Sequence, residues 1–204
     1  MFQDLSFVLE SGTALVVTGA NGIGKSSLLR TLAGLVPLAR GALRLEGGVA
    51  DRLPQEHAHY FGHQNAVKQA LTVVENLAFW QSFTAPADVS GFVGAAIEPL
   101  QALEQLGIGH TAQLPAAFLS AGQTRRLALA RLLVTPRPLW LMDEPTSALD
   151  RASEAQLLDL MNAHLRAGGS IVAATHSDLA LTRTKVLHLQ SADPAAPMNE
   201  DDAA

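Results

Sequence analysis

The 204-residue chain contains no cysteine, which excludes disulfides and thiolate metal sites. Charged residues make up only 16% of it and apolar residues 48%, the balance of an ordinary globular protein. Its net charge of −5 disfavours nucleic acid as a partner. The opening MFQDLSFVLE lacks the basic start and apolar core of a secretion signal, and no apolar run approaches the ~20 residues that span a bilayer. We therefore expect one folded domain, with any membrane span supplied by another chain.

Short apolar runs alternate with helical patterns along much of the chain. Apolar residues recur at helical spacing in residues 24–36 and 152–168, which predict helices. The alternation of strand and helix implies a parallel α/β sheet. Strands are predicted at residues 13–19, 41–48, 138–145, 169–176 and 184–190.

The middle of the chain, residues 67–134, has mostly helical patterns. Thr72 followed by Glu75 is a capping-box pattern, and Pro99 is expected to break the helical pattern of residues 95–107 near its start. We interpret this stretch as a lobe inserted into a single domain. The predicted parts are a nucleotide-binding α/β core (1–66 and 135–190), the helical lobe (67–134) and a flexible tail (191–204).

A glycine-rich loop, GANGIGKS at residues 19–26, follows the first predicted strand and begins a helix. It matches the phosphate loop G-x-x-x-x-G-K-[ST], in which glycines let backbone N–H groups surround a β-phosphate at the helix N-terminus. Lys25 is predicted to reach the β- and γ-phosphates, and the Ser26 hydroxyl to ligate Mg²⁺. The predicted nucleotide-binding residues of this loop are Gly19, Ala20, Asn21, Gly22, Ile23, Gly24, Lys25, Ser26 and Ser27.

Polar side chains follow three other predicted strands, at the edge where ligands bind in open α/β sheets. After LWLM come Asp143, a predicted Mg²⁺ ligand through water, and Glu144, predicted to orient or deprotonate the attacking water. Gln64, in YFGHQNAVK, offers a neutral amide to Mg²⁺ and the water, which it releases when its loop moves. His176 ends SIVAATH and is a candidate to bind the γ-phosphate and steady Glu144, although a lone histidine at a strand end is usually structural.

A second helix start also suits an anion. Residues 119–133, LSAGQTRRLALARLL, begin with small and polar residues and continue as an apolar helix. Ser120, Gly122 and the first N–H groups of that helix form a possible second cradle. The alternative is a well-capped helix with Ser120 as its N-cap, and spacing alone does not choose between the two.

The combination of LSAGQ, MDEPTSALD and a strand-ending TH resembles the ATP-binding subunits of ABC transporters, with alanine where that family usually has a second glycine. The resemblance covers residues 5–190 and implies an α/β ABC ATPase domain, a P-loop NTPase parallel sheet core with an inserted helical signature lobe. It implies ATP and Mg²⁺ as cofactors and a head-to-tail dimer of two copies. In that dimer Ser120, Gly122 and Gln123 act on the ATP of the other copy, and Asp150 lies on the seam.

The stretch YFGHQNAVKQALTVVENLAFW, residues 60–80, resembles one branch more closely: the haem-exporter ATP-binding subunits of cytochrome c maturation. This resemblance implies an ATPase coupled to haem export or to release of a haem carrier. It also implies a peripheral protein at the cytoplasmic face of the inner membrane, bound to integral membrane subunits. Phe79 and Trp80 are either apolar anchors for a helix of such a subunit or core residues of the lobe. The residue that stacks on adenine stays unassigned, because Phe2 lies at an unusual spacing for it.

Other readings compete with this one. His57, His59 and His63 invite a haem or metal site, with His57 and His59 on one side of a strand, but ligand spacing alone is weakly specific. A P-loop small-molecule kinase shares the phosphate loop but lacks the signature and the hydrolytic Glu144. An ABC transporter subunit for another substrate has the same motifs. Soluble ABC proteins of DNA or ribosomes have long insertions or two ATPase units, for which this chain leaves no room.

Overall fold

The computed structural model of the protein describes residues 5–48, 52–83, 91–147 and 149–190. Phe2 and the predicted tail at 191–204 lie outside these ranges. Within the described ranges, no helix is both long and apolar enough to cross a bilayer.

Five parallel strands form one sheet, in the order β2-β3-β4-β1-β5. Most of their residues are apolar, and β1, β3 and β4 are almost entirely buried, as expected for parallel strands covered on both faces. Because all five strands run in one direction, their carboxyl ends lie at one edge, from which the loops that carry the sequence motifs emerge. The strands are β1 (Ala14–Thr18), β2 (Ala58–Phe61), β3 (Leu139–Asp143), β4 (Ser170–Ala174) and β5 (Thr184–His188).

Helices cover both faces of the sheet. In β1, Leu15 and Val17 pack in one apolar cluster with Leu28 and Leu29 of the first helix, whereas the alternate residue Val16 belongs to a second cluster on the opposite face. That second cluster continues into the last two helices, so the core has two layers around the sheet. The helices are α1 (Lys25–Leu32), α2 (Val73–Phe83), α3 (Pro99–Gln105), α4 (Ala121–Val134) and α5 (Arg151–Arg166).

Helices α2, α3 and α4 pack against one another between β2 and β3 in the chain. The capping box at the start of α2 is confirmed, because Glu75 accepts from the Thr72 backbone N–H at 2.8 Å and Thr72 Oγ1 accepts from the Glu75 N–H at 3.2 Å. The helical pattern of residues 95–107 is broken near its start by Pro99, as expected, because residues 95–98 are not helical. Pro99 is the first residue of α3, where its missing N–H is not needed.

Residues 41–48 do not form the predicted strand. The segment is irregular, with a turn at residues 46 and 47, and Leu43 is exposed. An alternating sequence becomes a strand only where a neighbouring strand satisfies its N–H and C=O groups, and no described strand lies alongside this one. The prediction of a strand at residues 41–48 was therefore wrong, although the other four strands in that list are confirmed.

Candidate functional site

The phosphate-loop motif forms the turn between β1 and α1. Gly24 caps α1 with a left-handed φ of 115°, and Gly22 has a φ of 78° with no atom within 4 Å of the place where a Cβ would lie. A Cβ on Gly19 would approach the Leu189 carbonyl oxygen at 2.7 Å, so the close packing of loop against β5 needs a glycine there. Ala20 and Asn21, in the middle of the turn, are exposed. The loop therefore has the backbone and the open space of an anion cradle.

Lys25 is buried at the base of this loop, although it carries a charge. Its Nζ donates to the carbonyl oxygens of Gly19 at 2.9 Å and Ala20 at 3.2 Å, and lies 3.0 Å from His176 Nε2. An ammonium group only donates, so Nε2 is the acceptor wherever this contact is a hydrogen bond. His176 thus lies in direct contact with the lysine of the phosphate loop.

Ser26 and Asp143 meet directly at the carboxyl edge. The Ser26 hydroxyl donates to Asp143 Oδ1 at 2.9 Å, and Asp143 is buried. The Tyr60 hydroxyl donates to the other oxygen, Asp143 Oδ2, at 3.4 Å. A hydroxyl and a carboxylate are hard oxygen donors of the kind that Mg²⁺ prefers, and Mg²⁺ keeps several waters rather than a complete protein cage. The donor set therefore fits Mg²⁺. Among the described residues, no three or more acidic, histidine or cysteine side chains come together as a group that could hold a metal ion.

Glu144 follows Asp143 and turns sharply out of the sheet. Its backbone has a φ of 47°, in the left-handed region that a non-glycine residue rarely adopts, and its N–H donates to the Ala174 carbonyl at 2.8 Å. Its carboxylate Oε1 lies 3.7 Å from His176 Nε2. Glu144 and His176 thus face each other from the ends of β3 and β4.

Gln64 lies three residues beyond the end of β2 and is exposed. It belongs to the loop that leads from the sheet to α2, and its neighbour Asn65 accepts a hydrogen bond from Arg125 on α4 at 3.1 Å. Sequence reasoning missed both Tyr60 and Arg125. A charged residue at position 125, in front of the apolar run LALARLLV, was the available signal for Arg125.

The LSAGQ segment begins α4 and contains a reciprocal cap. The Gln123 backbone N–H donates to Ser120 Oγ at 3.2 Å, and the Ser120 N–H donates to Gln123 Oε1 at 2.9 Å. Nothing lies within 4 Å of the position of a Cβ on Gly122. Both readings of the sequence thus describe part of the geometry, because Ser120 is the N-cap and the space above Gly122 is open.

Asp150 caps the next helix, α5. Its Oδ1 accepts from the Ser153 backbone N–H at 2.8 Å, and this hydrogen bond lowers the pKa of Asp150. Its Oδ2 lies 3.5 Å from Arg126 Nη2 on α4. Asp150 therefore joins the start of α5 to the helix that LSAGQ begins.

The histidine reading does not fit the structure. His57 ends a 3₁₀ turn, Pro54–His57, so it does not lie on one strand with His59. His59 is buried in β2, where its Nε2 lies within hydrogen-bond distance of the Thr135 carbonyl, and burial lowers its pKa to about 3. His63 is exposed in the Gln64 loop. The three rings therefore have separate environments, and they form no metal-binding group among the described residues.

The sequence profile of the ABC transporter family matches residues 2–147. The cytochrome c biogenesis ATP-binding export protein CcmA of Chelativorans sp. is 50% identical over 191 residues, 93% of this chain and 90% of that protein. The protein of the same name from Mesorhizobium japonicum is 51% identical over 183 residues, 89% of this chain and 87% of that protein. The fold is similar to that of a solved Pyrococcus furiosus chain described as an ABC transporter ATP-binding protein, with a TM-score of 0.72 and 20% identity over 91% of this chain and 88% of that chain.

Proposed function

Since this chain belongs to the ABC transporter family of ATP-binding proteins, we propose that it is the ATP-hydrolysing subunit of an export complex in cytochrome c biogenesis, with haem as the cargo. In this proposal residues 1–66 and 135–190 bind the nucleotide, and the lobe of residues 67–134 carries the LSAGQ signature. The observation that carries the ATPase assignment is the meeting of five side chains at one edge of the sheet. They are Lys25, Ser26, Asp143, Glu144 and His176.

Each of these side chains has a role that follows from its position. Lys25, at the base of the loop from Gly19 to Ser27, holds the β- and γ-phosphates of ATP against the N-terminus of α1. Glu144 holds and deprotonates the attacking water, and His176, which lies between Lys25 and Glu144, binds the γ-phosphate and keeps the carboxylate in place. ATP is thereby hydrolysed to ADP and phosphate, and the proton of the water passes to Glu144 Oε1 or Oε2.

Three residues would hold Mg²⁺: Ser26 directly, and Asp143 and Gln64 in part through water. When bound, Mg²⁺ supplies positive charge that offsets the charge developing on the phosphate oxygens. The buried Asp143 is kept in place by Ser26 and Tyr60, so the carboxylate is fixed before the ion arrives. Gln64, in contrast, is exposed on its loop and makes its contact only when that loop is in place.

Two copies of the chain complete each site. Ser120, Gly122 and Gln123 bind the γ-phosphate of the ATP held by the other copy, and Asp150 lies where the two copies meet. This assignment is supported by the open space above Gly122 and by the ion pair that ties Asp150 to Arg126 on the signature helix. ATP then joins the copies and its hydrolysis separates them, which is the movement that drives the membrane subunits.

The membrane subunits dock beside α2. Phe79 and Trp80 are half-buried, and Phe83 on the next turn is 72% exposed. The three rings contact one another, with centroids 5.6 to 6.2 Å apart. Trp80 also lines a small cleft with Val67. Aromatic groups that are partly exposed and already packed together suit an anchor for an apolar helix, and this contact holds the chain at the cytoplasmic face of the inner membrane as a peripheral protein.

Purification of the chain with the integral membrane subunits, followed by ATPase assays with and without the haem-loaded carrier partner, tests the proposal. We expect the chain to co-purify, and we expect the carrier to stimulate hydrolysis by the wild type but not by a complex with Lys25→Ala. ATP hydrolysis at the same rate with and without the haem carrier would point to an ABC transporter for another substrate. Phosphoryl transfer to a small molecule, with no release of phosphate, would point to a kinase.

A further inference from the structure

Arg125, on the second turn of α4, reaches out of its helix to two loops of the catalytic edge. Its Nη1 donates to the Gly62 carbonyl at 2.7 Å and to Asn65 Oδ1 at 3.1 Å, and its Nη2 donates to the Glu144 carbonyl at 3.3 Å. The guanidinium carbon lies 3.7 Å from the centre of the Phe61 ring. One side chain thus connects the signature helix with the loop that carries Gln64 and with the catalytic carboxylate residue.

The two segments that Arg125 holds are also the two where the backbone is unusual. Among the described residues, only Ala66 and Glu144 have a positive φ without being glycine, at 51° and 47°. Ala66 directly follows Asn65, and Glu144 itself supplies the other acceptor. A non-glycine residue keeps such a conformation only where surrounding contacts hold it there. Arg125 supplies a contact of this kind to both segments.

We propose that Arg125 is a positioning residue for ATP hydrolysis, which fixes the Gln64 loop and Glu144 relative to the signature helix of the same chain. The proposal rests on the function proposed above and goes beyond the residues assigned there. When α4 shifts on meeting the nucleotide of the other copy, this guanidinium carries the shift to the chain's own Glu144. It acts through hydrogen bonds to the backbone and to Asn65, so it does not itself touch ATP.

The chemistry of the contact calls for an arginine. The two terminal nitrogens of a rigid planar fork reach acceptors in two separate loops at once, whereas a lysine has a single nitrogen and reaches one of them. Burial lowers the pKa of Arg125 to about 10, so the group still carries its charge at neutral pH. Arg125→Lys therefore keeps the charge and most of the apolar stem but loses the bridge.

The same helix offers a matched control. Arg131 is buried to the same degree as Arg125, with 8% and 7% of their surface exposed, and it also donates to a backbone carbonyl, that of Tyr60 in β2 at 2.9 Å. It also lies over an aromatic ring, with its guanidinium carbon 4.7 Å from the centre of Trp80. Arg131→Met thus removes a buried guanidinium and a ring contact from α4, while the hydrogen bonds from Arg125 to Asn65 and Glu144 remain.

The experiment compares full-length Arg125→Met, Arg125→Lys and Arg131→Met with the wild type by kcat, KM for Mg-ATP and Tm. We expect both methionine variants to lower Tm, but only Arg125→Met and Arg125→Lys to lower kcat, by about 10- to 100-fold, with KM nearly unchanged, because misplaced catalytic groups slow the chemistry more than binding. Wild-type kcat in Arg125→Lys, or an equal loss of kcat in Arg125→Met and Arg131→Met, would overturn the proposal.

Asn65→Ala extends the test to a variant that keeps Arg125. It removes one of the three acceptors, so kcat should fall less than in Arg125→Lys, and the double variant should be no slower than Arg125→Lys alone, because both changes act through one contact. Additive losses in the double variant would contradict the proposed bridge. Lys25→Ala, measured alongside, separates a failure of the proposed function from a failure of the proposed role of Arg125. If Lys25→Ala still hydrolyses ATP, the proposed function is contradicted. If Lys25→Ala abolishes hydrolysis, the comparison of the Arg125 variants decides the positioning role.

Discussion

The two helix starts with an anion-binding sequence differ in how their surroundings are arranged. At the start of α1, Lys25 and Ser26 contact His176 and Asp143, which lie more than a hundred residues further along the chain. At the start of α4, Ser120 and Gln123 form their hydrogen bonds with each other and with Thr124. The first cradle is therefore built into the tertiary structure, whereas the second is built by its own helix and is open above Gly122.

This difference explains why one chain has two such helix starts. A site for hydrolysis needs a general base, a cation ligand and a group for the γ-phosphate close together, and only the sheet edge brings them there in one chain. The start of α4 supplies backbone donors at a helix N-terminus and nothing that reacts. It is suited to complete a site whose reacting groups belong to another molecule, as the proposed dimer requires.

Removal of Lys25 should have the largest effect on the first cradle. We expect Lys25→Ala to show no measurable Mg-ATP binding by isothermal titration calorimetry, because the only buried ammonium at the base of the described loop is lost. Lys185→Ala is a suitable control, since that lysine lies on β5 and pairs with Glu10 at 3.1 Å. Tight Mg-ATP binding by Lys25→Ala would remove the role assigned to this residue.

Glu144→Gln tests whether the two cradles work together. The amide keeps the shape of the side chain but accepts no proton, so turnover should fall by about 10²- to 10⁴-fold while ATP still binds. The unhydrolysed ATP should then hold two copies together, and light scattering after gel filtration in Mg-ATP should show a dimer. A monomer under these conditions would break the link between the start of α4 and the nucleotide of another copy.

His176→Ala probes the contacts between Lys25 and Glu144. We expect kcat to fall by about 10²-fold, the scale of one positioned group that acts in the transition state. His110 is exposed in the 3₁₀ turn Gly109–Thr111, so His110→Ala provides a control for loss of a surface histidine. If His176→Ala hydrolyses ATP at the wild-type rate, the histidine only supports the structure around Lys25.

Of these four substitutions, Ser120→Ala should have the smallest effect. It should change only the start of α4, where the second cradle lies. Loss of the cap should lower the free energy of unfolding by about 1 kcal/mol, and Thr72→Ala, in the similar capping box of α2, should do the same. Only Ser120→Ala should weaken Mg-ATP-dependent dimerisation in the Glu144→Gln background, measured by sedimentation. Equal dimerisation in both variants would leave Ser120 as a helix cap alone.

Local patterns predicted the parts of the fold that are decided locally. Thr72 and Glu75 lie one turn apart, so their capping box is visible in the sequence. The apolar run before Gly19 likewise predicts β1, which is completed by its pairing with β4 and β5. The strand predicted at residues 41–48 does not form, because a strand needs a neighbouring strand and the alternating pattern does not indicate which segment that would be. The break at Pro99 was predicted correctly, because a proline lacks the N–H that the interior of a helix needs, whatever packs around it.

The sequence by itself determined the phosphate loop, the strand-end carboxylates and the start of α4, because each depends on residues a few positions apart whose backbone preferences are strong. Only the tertiary structure decided which of them meet. The parallel sheet brings the ends of β1, β3 and β4 to one edge, and so joins Lys25 to His176 and Ser26 to Asp143. It also decided the bridge from Arg125 to Glu144, because a guanidinium finds its acceptors across packed elements and not along the chain.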